Sequence, residues 1–146
     1  MTSAELENLV GAGRLKHEAA SQAEFDGLFQ SGSARLRDAQ NPNLGSESRF
    51  DLLYNAAHAL ALAALRWHGY RSDSRYLVFQ VLPYTVGLGP EVWRVLDKAH
   101  IMRNQTEYEG YVVVDERLFE NLVVAARRLE TAVAALGPTD PGRSRL

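Results

Sequence analysis

The run from Ser48 to Tyr70, SRFDLLYNAAHALALAALRWHGY, most limits how this chain can fold. It reads as one helix of about twenty residues, roughly 30 Å long. Apolar residues occupy most of its faces, so it is expected at the centre of a domain rather than on its surface. Its many alanines leave room for neighbouring helices to approach closely. Ser48-Arg-Phe-Asp51 has the form of a capping box at its start, and Gly69 is suited to end it. The longest apolar stretch, Leu52 to Leu65, is interrupted by Tyr54, Asn55 and His58, and is too short and polar to span a bilayer.

A buried helix needs others around it, and the flanking sequence supplies them. Thr2 to Glu5 fits a capping box before Leu6, Leu9 and Val10, which predicts a short first helix ended by Gly11 and Gly13. Residues 1–20 are thus expected to be a short helix followed by a linker from Arg14 to Ala20. Ser21-Gln-Ala-Glu24 opens a second helix carrying Phe25, Leu28, Phe29 and Leu36, which should stop near Gln40 before the Asn41-Pro42-Asn43 turn. Gly27 and Gly32 are expected to weaken it, each by about 1 kcal/mol relative to alanine where exposed. Ser72-Asp73-Ser74 can cap a helix from Arg75 to about Tyr84. The run YLVFQVL would also suit a strand, but no partner strand is available to satisfy its backbone, so helix is preferred. Pro83 should end or bend it. Gly89-Pro90-Glu91 starts the next helix. Asp115 caps the last, with a stripe of Leu118, Leu122, Ala125, Leu129, Ala132 and Leu136 that Gly137-Pro138 terminates. The expectation is an all-α fold, an up-and-down antiparallel bundle of four long helices plus one or two short ones, over residues 21–137. The tail, 138–146, is expected to be disordered.

Composition removes several function classes. The 146 residues suit one domain, and 46% hydrophobic with 23% charged residues is ordinary for a globular protein. Without cysteine there is no disulfide, thiolate nucleophile or thiolate metal site. His17, His58, His68 and His100 show no spacing that places two metal ligands on one helical face, so neither metal nor cofactor is expected. The formal charge of −2 gives no overall field towards nucleic acid. The N-terminal sequence lacks a basic region followed by an apolar run, so a cytoplasmic, non-membrane protein is expected. Gly87-Leu-Gly89 is a turn before a helix, and no phosphate loop or nucleophile elbow is present.

The chemistry-bearing residues concentrate in Val92–Gly110, VWRVLDKAHIMRNQTEYEG. Val92, Val95, Leu96, Ala99 and Met102 should face a core. The neighbouring stripe of Trp93, Leu96, His100, Arg103 and Glu107 turns ionisable towards its end. His100 and Arg103 are i, i+3, and Arg103 and Glu107 are i, i+4, so each pair is adjacent on a helix. Tyr108 lies about 140° round from Arg103 on an ideal helix. The two meet within one chain only where the helix ends or kinks inside NQTEYEG. In the central helix, Asp51, Asn55 and His58 share one face, with Tyr54 one turn before His58. Such a face is either a satisfied core network or a wall of the cleft that holds Arg103.

RNQTEYEG at the end of a bundle helix resembles the HEPN superfamily (higher eukaryote and prokaryote nucleotide-binding domain). The alanine-rich helix LLYNAAHALALAAL looks like that family's second core helix. The resemblance covers roughly residues 21–136. It implies an up-and-down bundle, often a homodimer whose two arginine motifs face a shared cleft. It further implies either a metal-independent ribonuclease, a toxin paired with a nucleotidyltransferase antitoxin, or a nucleotide- or RNA-binding module. Arg103 and Asn104 match the start of the ribonuclease motif. The histidine that should follow four to six residues after the arginine is missing. Tyr108 stands near its place, and no histidine follows Arg103. Histidine titrates near neutrality, whereas tyrosine, with an ordinary pKa of about 10, moves protons poorly there. His100 is the only nearby substitute. Losing the proton-transfer group costs about 10²–10⁴-fold.

The sequence therefore points to a non-catalytic HEPN-like module that binds RNA, a nucleotide or a protein partner. The binding cleft would surround Arg103 and Asn104 and be lined by Glu107, Tyr108, His58, Asn55 and Tyr54. The alternatives are a ribonuclease toxin using Arg103, Asn104, Tyr108 and His100, and a polar cluster that is purely structural.

Overall fold

The computed structural model describes residues 3–109 and 115–140, without the side chains of 106–109. The fold is all-α. The order is α1 (Ala4–Gly11), β1 (Lys16–His17), α2 (Gln22–Asp38), α3 (Ser46–Trp67), β2 (Tyr70–Arg71), α4 (Arg75–Gln80), α5 (Leu82–Thr85), α6 (Pro90–Glu109) and α7 (Glu116–Ala134).

Helix α3 is the buried axis. Leu53, Tyr54, Ala56, Ala57, Leu60, Ala61, Ala63, Ala64 and Leu65 are all fully enclosed. Burying each leucine stabilises the fold by about 1.5–3 kcal/mol, and cutting one back to alanine costs about 2–5 kcal/mol. The helix begins two residues before the expected cap. Gly45 occupies the N-cap position with no side-chain bond. Arg49 N–H closes the first turn on the Gly45 carbonyl, while the Arg49 side chain donates to the Ala39 carbonyl at 2.8 Å, answering an open acceptor at the end of α2.

Paired contacts fix how the long helices run. Residue 24 of α2 meets 66 of α3, 32 lies against 56 and 60, and 39 meets 49, so α2 and α3 are antiparallel. Arg49 lies over the Phe119 ring and Trp67 donates to the Gly137 carbonyl, so α7 runs parallel to α3. Glu91 meets Arg128 near one end of the α6–α7 pair, and Lys98 lines a cleft with Asn121 nearer the other, so α6 opposes α7. Gly32 corrects the reading of that position as an exposed weak point. It is buried, and a Cβ there would stand 2.7 Å from Leu60 Cγ and 3.2 Å from the Ala56 carbonyl. Only glycine lets α2 come this close to α3.

Local signals explain most boundaries. Ser21 and Ser74 accept from Glu24 N–H and Leu77 N–H, each at 3.2 Å, and Asp115 accepts from Arg117 N–H at 2.9 Å. Ser3, not Thr2, caps α1, accepting from Leu6 N–H; Thr2 lies outside the described residues. The stretch after Ser74 is helical, but it splits at Val81 into α4 and α5. Pro83 has no N–H to give to Phe79, so an unbroken ladder is impossible there.

The expected linker at 14–20 contains a strand. Lys16 and His17 pair antiparallel with Arg71 and Tyr70. Leu6 and Leu15 are buried in the same core as α3, and Ala20 is also buried. The sequence pattern hid this because two residues carry no strand periodicity. The expected break at Gly110, the YVVV connector and residues 141–146 lie outside the described residues. Thr139 is bonded through its N–H and hydroxyl to Gln22.

Candidate functional site

The site forms where the middle of α3 meets α4 and the end of α6. Tyr54 is its floor. The ring is wholly buried, and the Phe79 ring of α4 meets it edge-on at 5.9 Å. Above it, the Arg103 guanidinium of α6 lies 5.3 Å from the ring centroid, and that of Arg75, at the start of α4, lies 5.9 Å away. Both distances fall within the range of cation–π attraction. Two cations from different helices therefore share one tyrosine.

His100, one turn before Arg103, is held at both ring nitrogens. Its Nδ1 lies 2.9 Å from the Tyr54 hydroxyl, and its Nε2 lies 3.3 Å from the Asn104 amide nitrogen. An amide NH₂ can only donate, so in this arrangement Nε2 accepts and the proton sits on Nδ1, facing Tyr54. Asn104 thus helps to orient His100. The Tyr76 ring, partly exposed, lies 5.9 Å from His100 with a 30° tilt.

His58, one turn beyond Tyr54, packs against the edge of Phe79 at 6.0 Å. Burial, and then the positive charges of Arg75 and Arg103, push its pKa down to about 4. It is uncharged at neutral pH chiefly because it is buried, with the nearby arginines adding to the effect. Asn55 donates to the Asp51 carbonyl at 2.9 Å and accepts from Arg75 at 3.4 Å, so it tethers the α4 cation.

Towards the start of α3 the same stripe changes sign. A groove of about 520 Å³ lies beside Arg103, lined by Leu44, Phe50 and Leu52, with Glu47, Ser48 and Asp51 around it. The cleft beside Arg103 is therefore partly acidic. The positive region lies one to two turns further along, over Tyr54 and His58.

The residues read from sequence thus fall into three groups. Tyr54, His58, His100, Arg103 and Asn104 converge. Asn55 acts at one remove, through Arg75. The side chains of Glu107 and Tyr108 lie outside the described residues, although α6 continues as helix to Glu109. Positions 103 and 108 are thus five residues apart on unbroken helix, without the kink that a meeting within one chain requires. Arg75, Tyr76 and Phe79 were missed. The Ser74 cap announces their helix, but no spacing links position 75 to position 103. Among the described residues no three His, Asp or Glu side chains gather as a metal site. None of their helices is long and apolar enough to cross a membrane.

Comparison of the chain with models of known protein families, with curated proteins and with solved structures finds no match.

Proposed function

We propose that this chain is a non-catalytic, HEPN-like helical module that binds a phosphate-bearing ligand, RNA or a nucleotide, through Arg103 and Arg75. The observation that carries this reading is the pair of guanidiniums over Tyr54. Arginine forks match phosphate oxygens in shape and charge. The partly exposed Tyr76 ring offers a face on which a base can stack. The helix order and the Arg103-Asn104 grouping support the HEPN-like reading. A homodimer, and pairing with a nucleotidyltransferase antitoxin, belong to the same proposal.

The arrangement of the histidines favours binding over cleavage. His100 spends both nitrogens on Tyr54 and Asn104. His58, with a pKa near 4, is a weak base at neutral pH. Titration of the protein with short RNA and with mononucleotides tests the reading. Binding should weaken about tenfold or more in Arg103→Ala and again in Arg75→Ala, since each removes a charged hydrogen-bond donor. Equal binding by wild type and variants, or no binding by wild type, would defeat it. RNA recovered intact after long incubation supports the non-catalytic part, and cleavage abolished by Arg103→Ala would replace it with the ribonuclease reading.

A further inference from the structure

The groove at the start of α3 adjoins the positive cluster, since Arg103 is part of its lining, but an anion site does not account for the two carboxylates that also line it. Its volume of about 520 Å³ is enough for several side chains. Its walls include Leu44, which is 37% exposed, with Phe50 and Leu52. Glu47 and Asp51 stand at i, i+4 on α3, so their carboxylates lie on one face about 6 Å apart along the axis. Both are exposed, and neither pairs with a cation among the described residues. An apolar trough edged by two carboxylates that make no ion pair among the described residues, against the single cation Arg103 in its lining, complements a surface that is apolar along one stripe and basic beside it.

We propose that this groove docks a basic amphipathic helix of a partner protein. The partner's leucine-like side chains would seat against Leu44, Phe50 and Leu52. Its lysines or arginines, one helical turn apart, would meet Glu47 and Asp51. The matching one-turn spacing on both helices sets the register, the usual logic of a helix laid into a groove. The charges add selectivity and speed encounter, while the trough supplies the desolvated contact. The partner would reach Arg103 from the acidic side, leaving the face over Tyr54 open. The module would then hold two different visitors at neighbouring places on one helix.

The test uses the full chain and a labelled synthetic helical peptide carrying a leucine stripe with lysines one turn apart, followed by fluorescence anisotropy. A scrambled peptide of equal composition and a glutamate-for-lysine peptide serve as controls. Saturable one-site binding of the first peptide alone is expected. Glu47→Lys combined with Asp51→Lys should weaken it about tenfold or more, and Leu44→Ser should weaken it less. Asp26→Lys, an exposed charge reversal on α2, should leave it unchanged. All four positions are exposed, so circular dichroism should show the fold retained. Equal binding of the scrambled peptide, or indifference to reversal at Glu47 and Asp51, overturns the proposal. So does self-association of the chain, seen by sedimentation and abolished by the same reversal, because the groove would then belong to a second copy. Loss of RNA or nucleotide binding in Arg75→Ala is read separately and bears only on the anion site.

Discussion

Two arginine clusters in this molecule, built on the same helix about three turns apart, use the same side chain in opposite ways. At the end of α3, Arg66 is 2% exposed and almost saturated. Its Nε donates to Glu24 at 2.7 Å, and its terminal nitrogens donate to the carbonyls of Glu18, Ala19 and Tyr70. Arg71 closes the cluster by bonding both Glu18 and Glu24. Those hydrogen bonds hold Arg71 firmly cationic. Near the middle of α3, Arg75 and Arg103 lie against an aromatic face close to the surface. The first cluster ties the 16–24 segment to α3 and β2, and its donors point inward. The second gathers two guanidiniums, from α4 and α6, over one tyrosine. The first cluster is defined by its hydrogen bonds to carboxylates and carbonyls, the second by two guanidiniums over one aromatic ring.

The sharpest way to break this contrast is Arg66→Ala. It leaves three carbonyls without this donor and Glu24 with Arg71 alone, and should cost about 3–5 kcal/mol in urea unfolding. A smaller loss than that from Arg75→Ala would reverse the comparison. Next in size is a pH effect at His58. Its folded pKa, about 4, lies below the ordinary 6.5, so the unfolded chain takes up the proton first. The stability associated with neutral His58 is therefore full above pH 6.5 and falls as pH drops towards 4. Over that window the decline should be roughly 2–3 kcal/mol, and His58→Leu should flatten it. An unchanged slope in that variant would remove His58 as the cause.

The buried cluster should respond in a lower window. Burial raises the Glu24 pKa, but hydrogen bonds from Arg71 and Arg66 outweigh it, and the net shift is downward. Stability from Glu24 is present above the ordinary carboxylate pKa and is lost as pH falls through the lowered value. Acid titration followed by circular dichroism should thus weaken the protein first through His58 and then through Glu24. The smallest expected effect is that of Arg75→Ala on stability, about 0.5–1 kcal/mol from its lost cation–π contact. A substitution that scarcely moves the melting curve yet removes ligand affinity would mark the second cluster as a recognition site.

These differences also explain what could be read from the residues alone. The helices were legible because α3 is apolar on nearly every face and because Ser21, Ser74, Pro90 and Asp115 are local signals. The all-α class follows from them. Arg66 was not singled out, since it looks like any arginine near a helix end; its carboxylate and carbonyl partners lie more than forty residues away or at β2. Gly32 looked like a flaw, because the alanine and leucine it faces are on another helix. At the candidate site, Tyr54, His58, His100, Arg103 and Asn104 were visible as helical neighbours within α3 and α6. Arg75 and Tyr76 were not, because only tertiary packing brings α4 over Tyr54. The sign change along α3, from Glu47 and Asp51 to His58, is written in the sequence. Its meaning depends on where Arg75 and Arg103 arrive.

The bonds at the far end of α3 have a practical consequence. Glu7 accepts from the Tyr70 hydroxyl, Trp67 donates to the Gly137 carbonyl, and Thr139 reaches Gln22. The earliest and latest described segments are thus moored at one pole of the molecule. Tyr54 sits thirteen residues back along the helix, about 20 Å away. A fluorophore or immobilisation handle attached within either of these described segments would be anchored about 20 Å from Tyr54, so surface-capture assays can be run without masking the arginine pair.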